Sequence, residues 1–75
     1  FNPTATISFN LTAPARVTLT IYNILGQQVE TLIDNKLLDG PQVAKWNGDK
    51  FASGIYFYRI KTEYEVITKK MSLSK

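Results

Sequence analysis

Gly54-Ile55-Tyr56-Phe57-Tyr58-Arg59-Ile60 is the stretch on which the reading of the fold rests. Aromatic and β-branched residues fill it, and its apolar positions show no 3.6-residue period, so it reads as a strand rather than a helix. After Glu63-Tyr64-Glu65 comes a second run, Val66-Ile67-Thr68-Lys69-Lys70-Met71-Ser72-Leu73. Residues 55–62 and 66–73 are the longest β-rich runs in the chain, and their spacing predicts a hairpin that carries much of the core. The second run is expected to stay ordered to the carboxy terminus at Lys75, where chains usually fray. An ordered, lysine-bearing last strand suggests a segment that is read by a partner, and so an address rather than an enzyme.

Toward the amino terminus the period of two continues. Ile7, Phe9 and Leu11, then Val17, Leu19 and Ile21, alternate with polar residues as half-buried strands do. Thr12-Ala13-Pro14-Ala15 between them is expected to be a turn that makes the two an antiparallel pair, because Pro14 has no N–H to give to a ladder. Asn23-Ile24-Leu25-Gly26 breaks the second strand, with Gly26 as the expected positive-φ position. Residues 27–33 resume as a third strand with Val29 and either Leu32 or Ile33 inward, a doubt of parity that a bulge would explain. Asp34-Asn35-Lys36 and Asp39-Gly40-Pro41 bracket Leu37-Leu38 as a loop or a brief edge strand crossing between sheets. Val43-Ala44-Lys45-Trp46 is a further strand, ended by the Asn47-Gly48 turn signal.

Six to seven short strands with regular turn signals and no helical period predict an all-β chain, an immunoglobulin-like or fibronectin III-like antiparallel β-sandwich. A barrel is the weaker option. Within Ser53-Gly54-Ile55-Tyr56-Phe57-Tyr58 the spacing resembles the tyrosine corner of immunoglobulin-like domains. Tyr56 is then expected to bury its ring while its hydroxyl reaches an upstream backbone group, and Tyr58 takes the place of the missing cysteine. Gly26 and Gly54 serve backbone geometry, and Trp46 is expected to be the largest filler of the core.

The composition closes several routes. Seventy-five residues make one modest domain, 1–75, and such a chain buries only about 60% of the surface its unfolded form exposes. With no Cys and no His, disulfides and structural zinc are excluded, and stability rests on packing the 44% hydrophobic residues. Asp34, Asp39 and Asp49 lie in different turns without the alternating carboxylates of a calcium loop, so no metal and no cofactor is expected. Without His or Cys a nucleophilic triad would need Ser or Thr with Lys, Ser53 and Ser72 lie in no nucleophile motif, and Glu63 and Glu65 lie beside a hairpin turn with no sign of a cleft. The net charge of +3 is dispersed without a nucleic-acid signature, although residues 61–75 hold four lysines against two glutamates. No apolar run reaches membrane-spanning length, and Phe1-Asn2-Pro3-Thr4 has neither part of a signal peptide and reads as a turn into the first strand.

The whole chain resembles the type A C-terminal sorting domain of the type IX secretion system. The matching stretches are Phe1-Asn2-Pro3-Thr4, Val17-Thr18-Leu19-Thr20-Ile21-Tyr22-Asn23, Leu25-Gly26-Gln27-Gln28-Val29, Trp46-Asn47-Gly48, Ala52 through Ile60, and Thr68-Lys69-Lys70-Met71. Each is weak alone; their order and spacing are specific. The family typically opens with a longer Pro-Asn-Pro-Phe-Asn-Pro run, of which only the last part is present.

The resemblance implies a module at the carboxy-terminal end of a longer secreted protein of a Gram-negative bacterium. It would carry its covalently linked upstream cargo across the periplasm and through the outer-membrane translocon. A sortase-like protease would then remove it and leave the cargo at the cell surface or outside the cell. No nucleic acid and no direct membrane insertion are implied, and in that source the Asn10-Leu11-Thr12 glycosylation sequon is accidental. The chain itself offers a physical route, in which the last hairpin adds its edge to a receptor sheet by backbone pairing. Lys69, Lys70, Met71, Leu73 and Lys75 are the expected recognition residues, the lysines against an acidic receptor surface. The same exposed strand is open to self-association. The alternatives are an immunoglobulin-like accessory module that binds carbohydrate or protein beside a secreted enzyme, and a structural role like that of the flagellar hook-cap scaffolding protein. A carbohydrate module needs exposed coplanar rings drawn from Trp46, Tyr22, Tyr64 and Phe51.

Overall fold

Pro14 does not end its strand. In the computed structural model, which describes residues 3–74, β1 is one continuous strand over Thr4–Asn23. It is followed by β2 (Gln28–Asn47), β3 (Gly54–Lys61) and β4 (Val66–Leu73). All pairings are antiparallel, and the four strands form one sheet in the order β2-β1-β3-β4. The register between β1 and β2 passes from Leu11↔Gly40 to Ala15↔Leu38, so Thr12, Ala13 and Pro14 bulge out of β1. A bulge leaves a residue unpaired, which is what a proline without an N–H requires, and the ladder resumes beyond it.

This corrects the expected strand count. The turns read at residues 12–15 and 34–41 are bends within two long strands, so the six to seven expected strands are four among the described residues. Leu37 and Leu38 lie inside β2, where Asn35 and Gly40 absorb the bend at φ of 50° and 72°. Between Leu19↔Ile33 and Thr20↔Thr31 the register skips Leu32, and this bulge packs both Leu32 and Ile33 partly against the core. The hydrogen bonding draws a single sheet rather than the two sheets of a sandwich.

That sheet folds over on itself. A straight strand of 20 residues would run about 65 Å at ~3.3 Å per residue, yet the molecule measures 36 × 25 × 17 Å. Trp46 is paired with Ala5 near the start of β1, whereas Tyr56 is paired with Asn23 at its end. Their rings nevertheless meet edge to face, with centroids 5.1 Å apart. β1 and β2 must therefore turn back at their bulges, so that the first part of β1 lies over its second part and β3. Ile7, Val17, Leu19, Ile21, Trp46, Tyr56, Ile60 and Leu73 fill the space between. Trp46 is completely buried, and Phe51 adds a third ring 5.3 Å from it.

Magnitudes rank these contacts. Burying a ring of about 200 Å² at ~25 cal/mol per Å² contributes on the order of 5 kcal/mol. A single hydrogen bond nets only about 1 kcal/mol. The Trp46 Nε1–H donates to Glu30 Oε1 at 3.2 Å, which mainly avoids the cost of a stranded donor. The Tyr56 hydroxyl likewise donates to the Ala52 carbonyl at 2.7 Å, four residues upstream, and staples the loop before β3 to the core.

The connections are equally specific. Asn23 organises the β1–β2 turn: its Oδ1 accepts from the N–H groups of Leu25 and Gln27, and Gly26 sits at φ 82°. The expected turn at Asn47-Gly48 opens a loop, residues 48–53, that carries the chain past β1 to β3. There the Gly48 N–H donates to the Pro3 carbonyl at 2.9 Å. A Cβ on Gly48 would stand 2.7 Å from both terminal methyls of Leu73, so β4 closes directly onto that backbone.

Gly48→Ala is therefore expected to destabilise the domain by about 1–3 kcal/mol through overpacking against buried Leu73, read as a lower midpoint in urea unfolding. Tyr56→Phe should cost about 1 kcal/mol or somewhat more, since it leaves the Ala52 carbonyl without its donor; an unchanged midpoint would show that the staple is idle.

Candidate recognition surface

β4 pairs on one side only, with β3, so it is an edge of the sheet. Cross-strand partners share a face, and the register sorts the strand into two sets. Leu73, Met71, Lys69 and Ile67 lie opposite Gly54, Tyr56, Tyr58 and Ile60, on the side of the core. Ser72, Lys70, Thr68 and Val66 lie opposite Ile55, Phe57, Arg59 and Lys61, on the side turned away from it.

The expected recognition residues are thus not brought together as one cluster. Leu73 is buried at 5% exposure and Met71 is half-buried against the core, so both hold the strand in place. Lys69 and Lys70 are exposed but, as neighbours on a strand, serve opposite faces. Lys75 lies outside the described residues. Among the structural residues, Gly54 opens β3 at φ 151° and Tyr58 packs half-buried at the margin of the core.

Beside Tyr22 and Lys70, the outward side carries Arg59 and Lys61, which the sequence did not single out. Tyr22 pairs with Phe57, and the Arg59 guanidinium lies 4.9 Å above the Tyr22 ring. Arg59, Lys61 and Lys70 all belong to this face. Alternation within each strand was legible beforehand, but their convergence depends on the register among three strands, which spacing along the chain does not give.

Among the described residues, exposed coplanar rings drawn from Trp46, Tyr22, Tyr64 and Phe51 do not occur. Trp46 is in the core with Phe51 packed against it, Tyr22 lies half-buried beside Arg59, and Tyr64 projects from the β3–β4 turn at 72% exposure. A cleft of about 330 Å³ opens near that turn, lined by Phe9, Leu11, Ala15, Ile60, Tyr64 and Ile67 among others. Its lining is mainly apolar and holds one carboxylate, Glu65, so it offers no pair of acid–base groups. Among the described residues, no group of three or more His, Cys, Asp or Glu is placed to hold a metal ion.

No curated protein and no solved structure matches this chain. The family model described as the secretion system C-terminal sorting domain matches residues 2–74. That span is essentially the whole sequence, and it includes both the aromatic strand and the lysine-bearing one. The protein belongs to the family of secretion system C-terminal sorting domains, those of type IX secretion.

Proposed function

We propose that this domain works without catalysis, as a folded address that leads its covalently linked upstream cargo from the periplasm of a Gram-negative cell through the type IX translocon. Its receptor pairs a strand with the free edge of β4, and Lys69 and Lys70 contact the receptor on either side of that edge. A sortase-like protease then removes the domain and leaves the cargo on the outer-membrane surface. Family membership supports the sorting role and export to the surface or beyond. The observation that carries the recognition step is the geometry of β4: an edge strand, held from one side by buried Leu73, with two exposed lysines.

Strand addition suits such an edge, because main-chain hydrogen bonds supply affinity and alternate side chains supply selectivity. The lysines contribute orientation and encounter rate more than affinity. The folded-over sheet is read here as a reduced immunoglobulin-like sandwich, a reading supported by the Tyr56–Ala52 corner.

A reporter fused upstream of residues 1–75 is expected in the medium or on the surface of a type IX-competent host. Lys69→Glu with Lys70→Glu should lower that export while leaving the urea midpoint of the domain nearly unchanged, because exposed positions contribute little to stability. Full export of the folded double variant would remove the lysines from recognition, and retention of the unmutated fusion would remove the sorting role. Intact-mass measurement of exported cargo should show loss of the domain; cargo that keeps it would rule out sortase-like removal.

A further inference from the structure

The register assembles a second surface on the side of the sheet away from the core. Three rows cross β1, β3 and β4: Thr18–Lys61–Val66, Thr20–Arg59–Thr68 and Tyr22–Phe57–Lys70. Every charged residue in these rows is basic. Glu30 accepts from Trp46 and Asp34 has no partner position in the rows; Glu63, in the β3–β4 turn, accepts the Arg16 backbone N–H and borders the face at its Thr18–Lys61 end.

Spacing makes the cations a group. Residues two apart on a strand are about 7 Å apart, and diagonal neighbours on adjacent strands about 7–8 Å. Arg59 therefore stands between the other two, about 7 Å from Lys61 along β3 and about 7–8 Å from Lys70 on the diagonal, while Lys61 and Lys70 lie roughly twice as far from each other. Arg59 is also oriented, since its guanidinium stacks on Tyr22 and Thr20 beside it is only 6% exposed.

Protection of an edge does not explain this arrangement. Lysine on an edge strand discourages unwanted pairing, which would be reason enough for Lys70 on β4. Arg59 and Lys61 stand on β3, which is paired on both sides by β1 and β4. Arg59 has a like charge about 7 Å away on either side, in Lys61 and Lys70, and opposite charge on a partner relieves that repulsion. Half-buried aromatic rings among arginine and lysine, bordered by threonine and serine, also match the composition of protein interfaces, in which Tyr and Arg are enriched among the residues that matter most.

We propose that this face is a docking surface for an acidic protein surface, with Arg59, Lys61 and Lys70 set against carboxylates around an aromatic centre formed by Tyr22 and Phe57. The proposal rests on the sorting role and extends its recognition site from the β4 edge onto the sheet. The partner's complementary carboxylates should recur at the same spacing of about 7 Å, as they do on one face of a strand pair.

The test uses the reporter fusion in a type IX-competent host. Arg59→Glu, Lys61→Glu and Lys70→Glu are combined, and a control combines Lys36→Glu, Lys45→Glu and Lys50→Glu, exposed positions outside the rows with the same change in net charge. Circular dichroism and urea midpoints confirm folding, and Arg59→Gln with Lys61→Gln and Lys70→Gln serves if the glutamate variant unfolds. Export of the face variant should fall about tenfold or more, as for charge reversal at an interface, while the control exports like the unmutated fusion. A photoreactive residue at Thr68 should crosslink to a protein through a peptide rich in Asp and Glu, and the face variant should lose that product. Equal export of the folded face variant and the unmutated fusion overturns the proposal and leaves the sorting role standing. An equal fall in the control overturns it in favour of net charge, and a crosslink to lipopolysaccharide or to a peptide without acids overturns the partner's chemistry. Failure of the unmutated fusion to leave the cell overturns the sorting role instead.

Discussion

The contact between the Trp46 and Tyr56 rings closes this protein. One ring comes from the far end of β2 and the other from the start of β3, on parts of the sheet that no hydrogen-bonded ladder links directly. Without that contact the first part of the β1–β2 ribbon, which no third strand pairs, would be a two-stranded strip with an apolar side open to water, and such strips are marginal alone. With it, Ile7 on the first part of β1 reaches the same cluster as Val17, Leu19 and Ile21 on the second. The bulges at residues 12–14 and at Leu32 make the closure possible, because a bulge bends a strand without ending it.

What the sequence disclosed follows from how far each kind of information reaches. The alternation of Val17, Leu19 and Ile21 is local, and all three are fully buried as their period implies. The β3–β4 hairpin was legible for the same reason. Thr12-Ala13-Pro14-Ala15 could not be resolved locally, since the same residues suit a reversal or a bulge, and the choice was made by pairing with Gly40 and Leu38 far along the chain. Single extra residues in β2 shift parity within a run, which is why neither Leu32 nor Ile33 stood out beforehand.

The candidate surface was less legible. Lys69 and Lys70 are adjacent in sequence and for that reason divided between faces, whereas Lys70 and Arg59 are distant in sequence and diagonal in space. The pleat sends the two adjacent lysines to opposite faces and sets Lys70 on the same face as Arg59. Leu73 shows a different tension, because the strand proposed for recognition is also a wall of the core. A receptor that reads β4 in this form is reading a folded protein, since the face of the strand that Leu73 occupies exists only when Gly48 and the aromatic rings are in place.

Pro3, Gly48 and Leu73 meet at one end of the molecule, so the side from which cargo would be joined and the last turn of the signal strand share a single anchorage. Tension along that join would meet the Pro3–Gly48 hydrogen bond before the rest of β1, and Gly48 is the backbone on which Leu73 rests. A heavy or unfolded cargo pulling on the domain would therefore load the very clasp that keeps the address legible. The β3–β4 turn, at the opposite end of that hairpin, lies away from this path. In the proposed sorting role the fold would act as a tethered tag whose readability is coupled mechanically to what it tows.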